Sequence, residues 1–230
     1  MSNEGFQAID LRIRIPSGIS PREAIALQKK LAPLVKETSE LPSKITHLVG
    51  CDATYFRGTT LAAATLVDYE KLALIKSRSV KERTRFPYIP GLLAFREAPC
   101  VLRAVRALRA DSYVCLVDAH GLAHPRKFGL ACFVGVALDR PTIGVAKSLL
   151  YGRIHGNQVL GKEGYPLAQA LQLPGVRKTI YVSVGHKISL NDAVQVVKRC
   201  LSPKGPIPII LAHEEVEKQK WELSRSSRAS

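Results

Sequence analysis

The sequence predicts an α/β fold: a mixed sheet in which an antiparallel three-strand meander is followed by parallel strands, with helices on both faces. Two observations predict it. Three apolar runs separated by short polar turns come first, as in antiparallel neighbours, and later apolar runs alternate with segments of helical periodicity. The 230 residues, 46% of them hydrophobic and 23% charged, suit one well-buried domain over residues 1–230.

The first elements are a capped helix and the three meander strands. Ser20-Pro21-Arg22-Glu23 combines an N-cap serine, a proline at the first helical position and a capping-box glutamate, so a helix is expected from there to Val35. Strands are expected over 45–52, 61–67 and 72–80. The second of them is apolar throughout, which indicates a central position in the sheet.

The remaining elements alternate between helices and strands. A helical pattern starts near Leu92, is expected to break at Pro99, and resumes over 100–109. The later elements, in chain order, are a strand over 113–117, a helix over 128–138, strands over 142–145 and 180–184, a helix capped by Ser189 and reaching Leu201, a linker over 203–208, a last helix near 211–223 and a frayed tail over 224–230.

The chain is strongly basic. Lys and Arg number 34 against 19 acids, a net charge of +15, which indicates a polyanionic partner; a basic surface kept for solubility is the other interpretation. The five cysteines form no CxxC pair, so buried thiols in a reducing compartment are expected rather than disulfides or zinc. With no cleavable signal and no apolar run of membrane-spanning length, a cytoplasmic protein is expected.

One stretch carries more polar chemistry than packing requires. An apolar run ending at Val117 is followed at once by Asp118, His120 and His124. A buried strand that delivers polar groups to the edge of a sheet has this form. The alternative is a strand followed by a polar turn with solvated histidines.

Two acids stand at equivalent strand ends. Asp52 follows an apolar run as Asp118 does, and the two become neighbours if their strands pair in parallel. Clustered carboxylates hold hard divalent cations, whereas each acid alone is more often a turn residue. Glu97 lies in a mostly apolar helical turn, where a surface ion pair is the alternative to a site. Lys147 ends a strand, where it is either solvated or placed to stabilise an oxyanion.

A basic segment with a rigid tip lies between these acids. From Lys76 to Arg109 there are nine Lys or Arg against two acids, a local net charge of +7. Within it, residues 86–90 (Phe-Pro-Tyr-Ile-Pro) are too rich in proline for a helix or strand. Positive charge around a stiff aromatic tip suits a nucleic-acid surface with a wedge between base steps, at a cost of about a few kcal/mol for unstacking. A proline-stiffened loop with a buried tyrosine is the alternative.

Strand-end acids, an acid on a helix and a basic wedge together indicate a metal-dependent phosphodiesterase. The same residues resemble the endonuclease V family, the deoxyinosine 3′-endonucleases with a ribonuclease H-like fold. The resemblance covers roughly residues 20 to 221 and is carried by four blocks: Gly50-Cys51-Asp52-Ala53-Thr54-Tyr55, residues 87–97 (PYIPGLLAFRE), residues 117–126 (VDAHGLAHPR) and Thr142-Ile143-Gly144-Val145-Ala146-Lys147-Ser148.

The resemblance implies roles for the matching residues. Asp52 and Asp118 correspond to a metal-binding pair and Glu97 to the third catalytic acid and metal ligand. His124 matches an active-site histidine and Lys147 a lysine on the phosphate side. The other matches form two groups: a DNA wedge with Tyr88 at its tip and Pro87, Ile89 and Pro90 around it, and a pocket for a flipped-out hypoxanthine made by Gly91, Leu93, Gly121 and Leu150.

The resemblance also implies a reaction. Such enzymes cut the second phosphodiester bond 3′ to inosine, leaving a 3′-hydroxyl and a 5′-phosphate, with Mg²⁺ or Mn²⁺ as the metal. Base flipping fits this substrate, because an inosine pair is weaker than a normal one and is opened at lower cost. Inosine-containing DNA is therefore the expected partner, bound by a monomer.

Three residues depart from the family pattern. Ala119 replaces a glycine, and its methyl group would be strained if the position needs φ > 0. Phe133 replaces a histidine and receives no role. His213 stands where many relatives have aspartate; imidazole can ligate manganese or bond to a metal-bound water, so the departure affects metal preference, and a surface histidine is the alternative.

Two further functions stay open at this point. One is a ribonuclease of the same family acting on inosine in RNA, and the other is a catalytically silent, basic nucleic-acid-binding module. Retention of Asp52, Glu97 and Asp118 argues against the silent module.

Overall fold

Secondary structure is described for residues 13–226, apart from 14 and 17, in a computed structural model. The α-helices in this part of the chain are α1 (Pro21–Leu31), α2 (Leu93–Leu108), α3 (Leu130–Leu138), α4 (Leu190–Arg199) and α5 (Ile207–Ser226), with a 3-10 turn over Ala32–Leu34. The strands are β1 (His47–Phe56), β2 (Thr59–Asp68), β3 (Leu74–Arg83), β4 (Val114–Val117), β5 (Thr142–Ala146), β6 (Arg153–His155), β7 (Gln158–Leu160), β8 (Pro166–Gln172), β9 (Thr179–His186), β10 (Leu201–Ser202) and β11 (Gly205–Pro206).

Nine of these strands form one mixed sheet, in the order β3-β2-β1-β4-β5-β9-β8-β7-β6. β1, β2 and β3 are antiparallel neighbours, as the sequence predicts, and β4 and β5 continue the sheet in parallel with β1. β9 returns antiparallel to β5, and β8, β7 and β6 extend that side as hairpins. The predicted mixed sheet is confirmed, with an antiparallel extension that the sequence did not predict.

Helices cover both faces of the meander, and the alternation along β2 separates the two layers. Leu61 and Ala63 cluster with Val216 of α5 on one face. Ala62 and Ala64 point to the main core, which α2 and α3 close on the other face. The sheet is therefore buried on both sides where β1 and β2 pass through it, as an apolar central strand requires.

The N-terminal turn of α5 lies directly on β1. A Cβ on Gly50 would lie 1.9 Å from the carbonyl oxygen of Pro208, so the close approach depends on glycine. Thr65 of β2 holds the same turn, since its hydroxyl donates to the Pro208 carbonyl at 2.9 Å. Because Asp52 follows Gly50 by two positions on the strand, both face α5.

Several boundaries differ from the prediction. Pro99 lies inside α2 without ending it, because α2 is held by a largely buried face and proline removes a single backbone donor. Residues 201–206 form the β10–β11 hairpin rather than a linker, and the last helix begins at Ile207. Residues 224–226 belong to α5, so the predicted tail does not start at 224, and 227–230 lie outside the described residues.

Two expectations about composition can be compared with the structure. All five cysteines are free and buried, as predicted. Among the described residues, no helix has both the length and the apolar character that a membrane crossing needs. The capping box is also formed, with the Ser20 backbone N–H donating to the Glu23 carboxylate at 2.8 Å.

Candidate active site

The structure brings Asp52 and Asp118 together where the parallel pairing of β1 with β4 ends. Asp118 directly follows β4, as predicted, whereas the predicted end of the first strand at Asp52 is wrong, because β1 continues to Phe56 as the antiparallel partner of β2. Cys51 of β1 lies opposite Val117 of β4, and the Asp118 N–H donates to the Cys51 carbonyl at 2.9 Å. The two acids follow at the same level, so their side chains emerge on the same face of the sheet. Both are largely buried, with side-chain exposures of 10% and 12%.

Each of these carboxylates is bonded to a basic side chain. His213 of α5 places Nδ1 2.7 Å from Oδ2 of Asp52, and Lys147, just after β5, donates from Nζ to Oδ2 of Asp118 at 2.5 Å. Burial and the negative charge of Asp118 raise the pKa of Asp52, against the hydrogen bond from His213. Burial lowers the pKa of Lys147, but the hydrogen bond to Asp118 and the negative charge of Asp118 outweigh it, so the pKa is raised.

Glu97 adds a third acid from the second turn of α2. Burial, followed by the negative charge of Asp52, raises the pKa of Glu97 to about 8; Arg96 opposes this and Asp118 adds to it. The three acids therefore act on one another electrostatically. In this conformation, however, no three His, Cys, Asp or Glu side chains of the described residues lie close enough to hold a metal ion.

The chemistry of the donors nevertheless fits a hard divalent cation. Three carboxylates that repel one another supply the oxygen ligands that Mg²⁺ and Mn²⁺ take, and His213 supplies an imidazole nitrogen. Two of these groups are engaged by side chains instead: Asp52 by His213 and Asp118 by Lys147. Three of the donors come from the sheet and α2, and the fourth from the last helix.

A small pocket of about 80 Å³ is lined by Ala119 and His120, the two residues that follow Asp118. Gly91, Leu93 and Leu150, three of the four residues predicted for a base pocket, line it. Gly121 does not. A Cβ there would lie 1.9 Å from the Val184 carbonyl oxygen, so this glycine is needed for the approach of β9.

Ala119 and His120 line the pocket in place of Gly121. Ala119 has a negative φ, so its methyl group causes no backbone strain. Nδ1 of His120 is buried and has no hydrogen-bond partner within the described structure, and burial lowers the pKa of this histidine. The sequence drew attention to His120 without giving it a role; its position in the pocket comes from the fold.

The backbone of Gly91 is held by three buried or half-buried side chains. Its carbonyl oxygen lies 2.9 Å from Nε2 of His124, 3.1 Å from Nε2 of Gln28 and 2.6 Å from Nη2 of Arg126. The second ring nitrogen of His124 accepts from the Arg126 N–H at 3.2 Å. Burial lowers the pKa of His124 to about 4, so the ring is neutral and both nitrogens are occupied by the pocket wall.

The proline-rich loop carries Tyr88 at the surface. Phe86 anchors the loop by packing against Phe95, with ring centroids 5.7 Å apart, while Tyr88 is 67% exposed. The guanidinium of Arg96 lies 4.1 Å from the ring centroid of Tyr55 and 6.0 Å from that of Tyr88. The tip thus projects into solvent, and the alternative of a buried tyrosine is wrong. Tyr55 and Arg96 received no role from the sequence.

Phe133 belongs to the core. It is fully buried and makes edge contacts with Phe95 and Phe128, each with ring centroids 6.0 Å apart. An aromatic ring therefore fills the position at which the family resemblance leads one to expect histidine, and the Phe133 side chain offers no polar group to the acids.

Comparison with known proteins identifies the relatives of this arrangement. A sequence model of the endonuclease V family matches residues 29–214. Endonuclease V of Desulfurococcus amylolyticus is 38% identical over 205 residues, which are 85% of this chain and 93% of the relative, and that of Thermus thermophilus is 40% identical over 212 residues, 87% and 93%. The crystal structure of Ciona intestinalis endonuclease V with a 24-mer DNA containing an inosine followed by a ribo-adenosine superposes with a TM-score of 0.82 at 27% identity, covering 88% of this chain and 98% of that one.

Proposed function

Because this chain belongs to the endonuclease V family, we propose that it is a repair nuclease that cuts DNA carrying deoxyinosine. The cut falls at the second phosphodiester bond 3′ to the lesion and leaves a 3′-hydroxyl and a 5′-phosphate. The observation that carries the proposal is the pair Asp52 and Asp118, side by side, with a small pocket lined by the residues that follow Asp118. The inosine-containing DNA bound by the Ciona relative supports the choice of substrate.

Asp52, Glu97 and Asp118 would hold the metal, which is Mg²⁺ in this proposal, with Mn²⁺ as a substitute. His213 would act as a further ligand or as a hydrogen-bond partner of Asp52, as it is here. When bound, the metal supplies an activated water and neutralises charge that develops on the phosphate. The five buried thiols support a location in the reducing cytoplasm.

The chain's own basic groups complete the site. The Lys147 side chain is 64% exposed, and its ammonium lies beside Asp118, where it can pair with a phosphate oxygen of the scissile bond. His124 is a positioning residue, because both ring nitrogens are bonded to backbone groups of the pocket wall. It fixes Gly91 and thereby the shape of the pocket.

The flipped hypoxanthine occupies the pocket between Leu93 and Leu150. Extrusion of a base costs a few kcal/mol, and less for a weakly paired base, so an inosine pair is opened preferentially. Tyr88 and its neighbours Pro87, Ile89 and Pro90 take the wedge position, since the tyrosine is exposed and its loop is anchored by Phe86. Apolar wedges at such positions unstack the step beside the extruded nucleotide.

Cleavage mapping tests the proposal. A labelled duplex with one deoxyinosine, its counterpart with a ribonucleotide after the inosine, and an inosine RNA are incubated with Mg²⁺, Mn²⁺ or EDTA. A single cut at the second 3′ bond, dependent on metal, is expected for DNA. Strong preference for the RNA would make the protein a ribonuclease, and binding without cutting in every metal would make it a silent binding module.

Asp118→Asn provides the matching variant, with exposed Asp111→Asn as control. Loss of a metal ligand should lower nicking about a thousand-fold or more, equivalent to several kcal/mol, while affinity for the lesion in EDTA stays near that of the wild type. Nicking near the wild-type rate would remove Asp118 from the metal site.

A further inference from the structure

A groove of about 590 Å³ is lined by Asp118, whereas the next two residues, Ala119 and His120, line the base pocket. We call it the lysine groove, because Lys147, Lys178 and Lys204 line it. Its remaining walls come from β9, from the β10–β11 hairpin and from the first turns of α5. Apart from His213 on α5, these segments carry no residue assigned to catalysis, wedge or base pocket above.

The groove combines free positive charge with an apolar floor. Lys178 and Lys204 are exposed, and within the described residues neither ammonium has a salt bridge or hydrogen bond. Ile180 and Ile209 are buried side chains that line the groove, and the acids in its lining are Asp118 and Glu214. Ammonium groups above an apolar surface match a nucleotide strand, which presents phosphates together with flat bases and sugars.

The groove is continuous with the candidate active site. Asp118, Lys147 and His213 form its inner end. Two chain segments run from it into the base pocket: Asp118 is followed by Ala119 and His120, and Lys147 is followed by Leu150. The two cavities share no lining residue, so they are separate spaces joined by these two chain segments.

We propose that the lysine groove binds the nucleotides 3′ of the scissile bond, with Lys178 and Lys204 each pairing with a phosphate. The inference rests on the proposed function: with the lesion base in the pocket and the cut on its 3′ side, the strand that leaves the acids is the 3′ segment. Binding there holds the strand on both sides of the bond that breaks. Orientation at the reacting phosphate then follows from binding at a distance from it.

The test shortens the substrate and, in the same experiment, removes lysine contacts from the protein. Single-stranded oligonucleotides with one deoxyinosine keep a constant 5′ arm and carry one, two, four or eight nucleotides beyond the scissile bond; a mirror series shortens the 5′ arm. The double variant Lys178→Ala/Lys204→Ala is compared with wild type and with Lys30→Ala/Lys198→Ala, which removes two exposed lysines outside the groove. Affinity is measured in EDTA and nicking with Mg²⁺.

On the longest 3′ arm the groove variant should bind about tenfold more weakly than the wild type, and on the shortest the two should agree within about twofold. The salt slope on the long arm should fall by about 1.4, that is, about 0.7 for each phosphate contact on a single strand. The control variant and the 5′ series should show neither change. Thermal unfolding of both variants should match the wild type, since all four lysines are exposed.

A loss that is equal for every 3′ length, or that follows the 5′ arm, would overturn the assignment of the groove. Failure of the proposed function gives a different result: no inosine substrate is nicked in any metal, whatever its length. The binding series decides the role of the groove in that case too, because it does not require cutting.

Discussion

At the level of single residues, the side chains around the Gly91 carbonyl show where the structure differs from the expectation that a sequence motif gives. The family resemblance predicts His124 as an active-site histidine, and in the structure it is 2% exposed and bonded through both nitrogens. The sequence could place His124 near the site, because it follows a strand that ends in Asp118. It could not show that Gln28, 63 positions before Gly91 in the chain, reaches the same carbonyl.

Protonation of His124 should weaken the fold. Its pKa of about 4 lies below the ordinary value of 6.5, so the neutral ring contributes stability that is complete above pH 6.5 and is lost as the pH falls toward 4. Arg126 and His120 face the ring and lower its pKa further. Between pH 7 and pH 5 the wild type should lose about 2 kcal/mol more of its unfolding free energy than His124→Gln.

Urea unfolding of the two proteins at both pH values measures this difference. The side-chain amide of glutamine can still donate to Gly91 and does not titrate, and groups such as Glu97 titrate in both proteins and cancel. If the unfolding free energies of the two proteins changed equally between pH 7 and pH 5, His124 would not be a buried neutral ring that becomes protonated on unfolding.

At the scale of elements, the pairing of the two acid-bearing strands was the most predictable feature. Apolar runs before Asp52 and Asp118 predict buried parallel strands, and β1 and β4 pair in that way, although β1 continues past Asp52 to Phe56. The hairpins over 153–172 were missed because β6 and β7 have only three residues each and the burial pattern of β8 does not alternate. Pro99 misled the helix prediction, since local preference was outweighed by the buried face of α2.

The contact between β1 and α5 predicts the effect of Gly50→Ala. The new methyl group would meet the Pro208 carbonyl, so α5 must shift and carry His213 away from Asp52. We expect a loss of about 1–3 kcal/mol and a melting temperature lower by about 2–4 °C per kcal/mol, together with reduced nicking.

Gly161→Ala is the control for this change. The nearest atom to a Cβ there is the Leu167 Cδ1 at 3.3 Å, the end of a side chain that can move. Differential scanning calorimetry and the nicking assay should show little change for the control. Equal melting temperatures for Gly50→Ala and wild type would contradict the tight packing of α5.

The wedge loop predicts a selective loss in Tyr88→Ala. Stacking of a base on an aromatic ring is worth about 1–3 kcal/mol, so affinity for an inosine duplex should fall about tenfold while affinity for a plain duplex changes less than about twofold. Stability should be unchanged because the side chain is 67% exposed. Fluorescence anisotropy with both duplexes gives the two affinities, and Trp221→Ala serves as an exposed aromatic control. An equal loss of affinity for both duplexes would show that Tyr88 does not act at the lesion.

At the scale of the whole molecule, net charge is the quantity that the sequence supplies directly. A charge of +15 implies counterion release on binding DNA, so log K should fall linearly with log salt, with a slope of about −4 or steeper. Titration of a plain duplex over a series of salt concentrations measures it. A slope near zero would mean that the charge serves solubility, the interpretation that composition left open.

The sequence could not predict how distant segments assemble around the acids. Residues 178, 204 and 213 line one groove with Asp118, and this depends on the sheet order and on the position of α5. Such long-range placement leaves no periodic signal in the chain. The local signals of caps, strand ends and a stiff loop determine which elements form, and the packing determines what they enclose.

The contact of α5 with Gly50 has a consequence for synthesis. The acids are translated early, but the helix that covers β1 and β2 and carries His213 leaves the ribosome after every other described element. A chain halted before residue 207 would expose the apolar face formed by Leu61 and Ala63 and would lack one wall of the groove. An unfinished copy of this kind would also lack the imidazole that is bonded to Asp52, so the site of the proposed function would be incomplete.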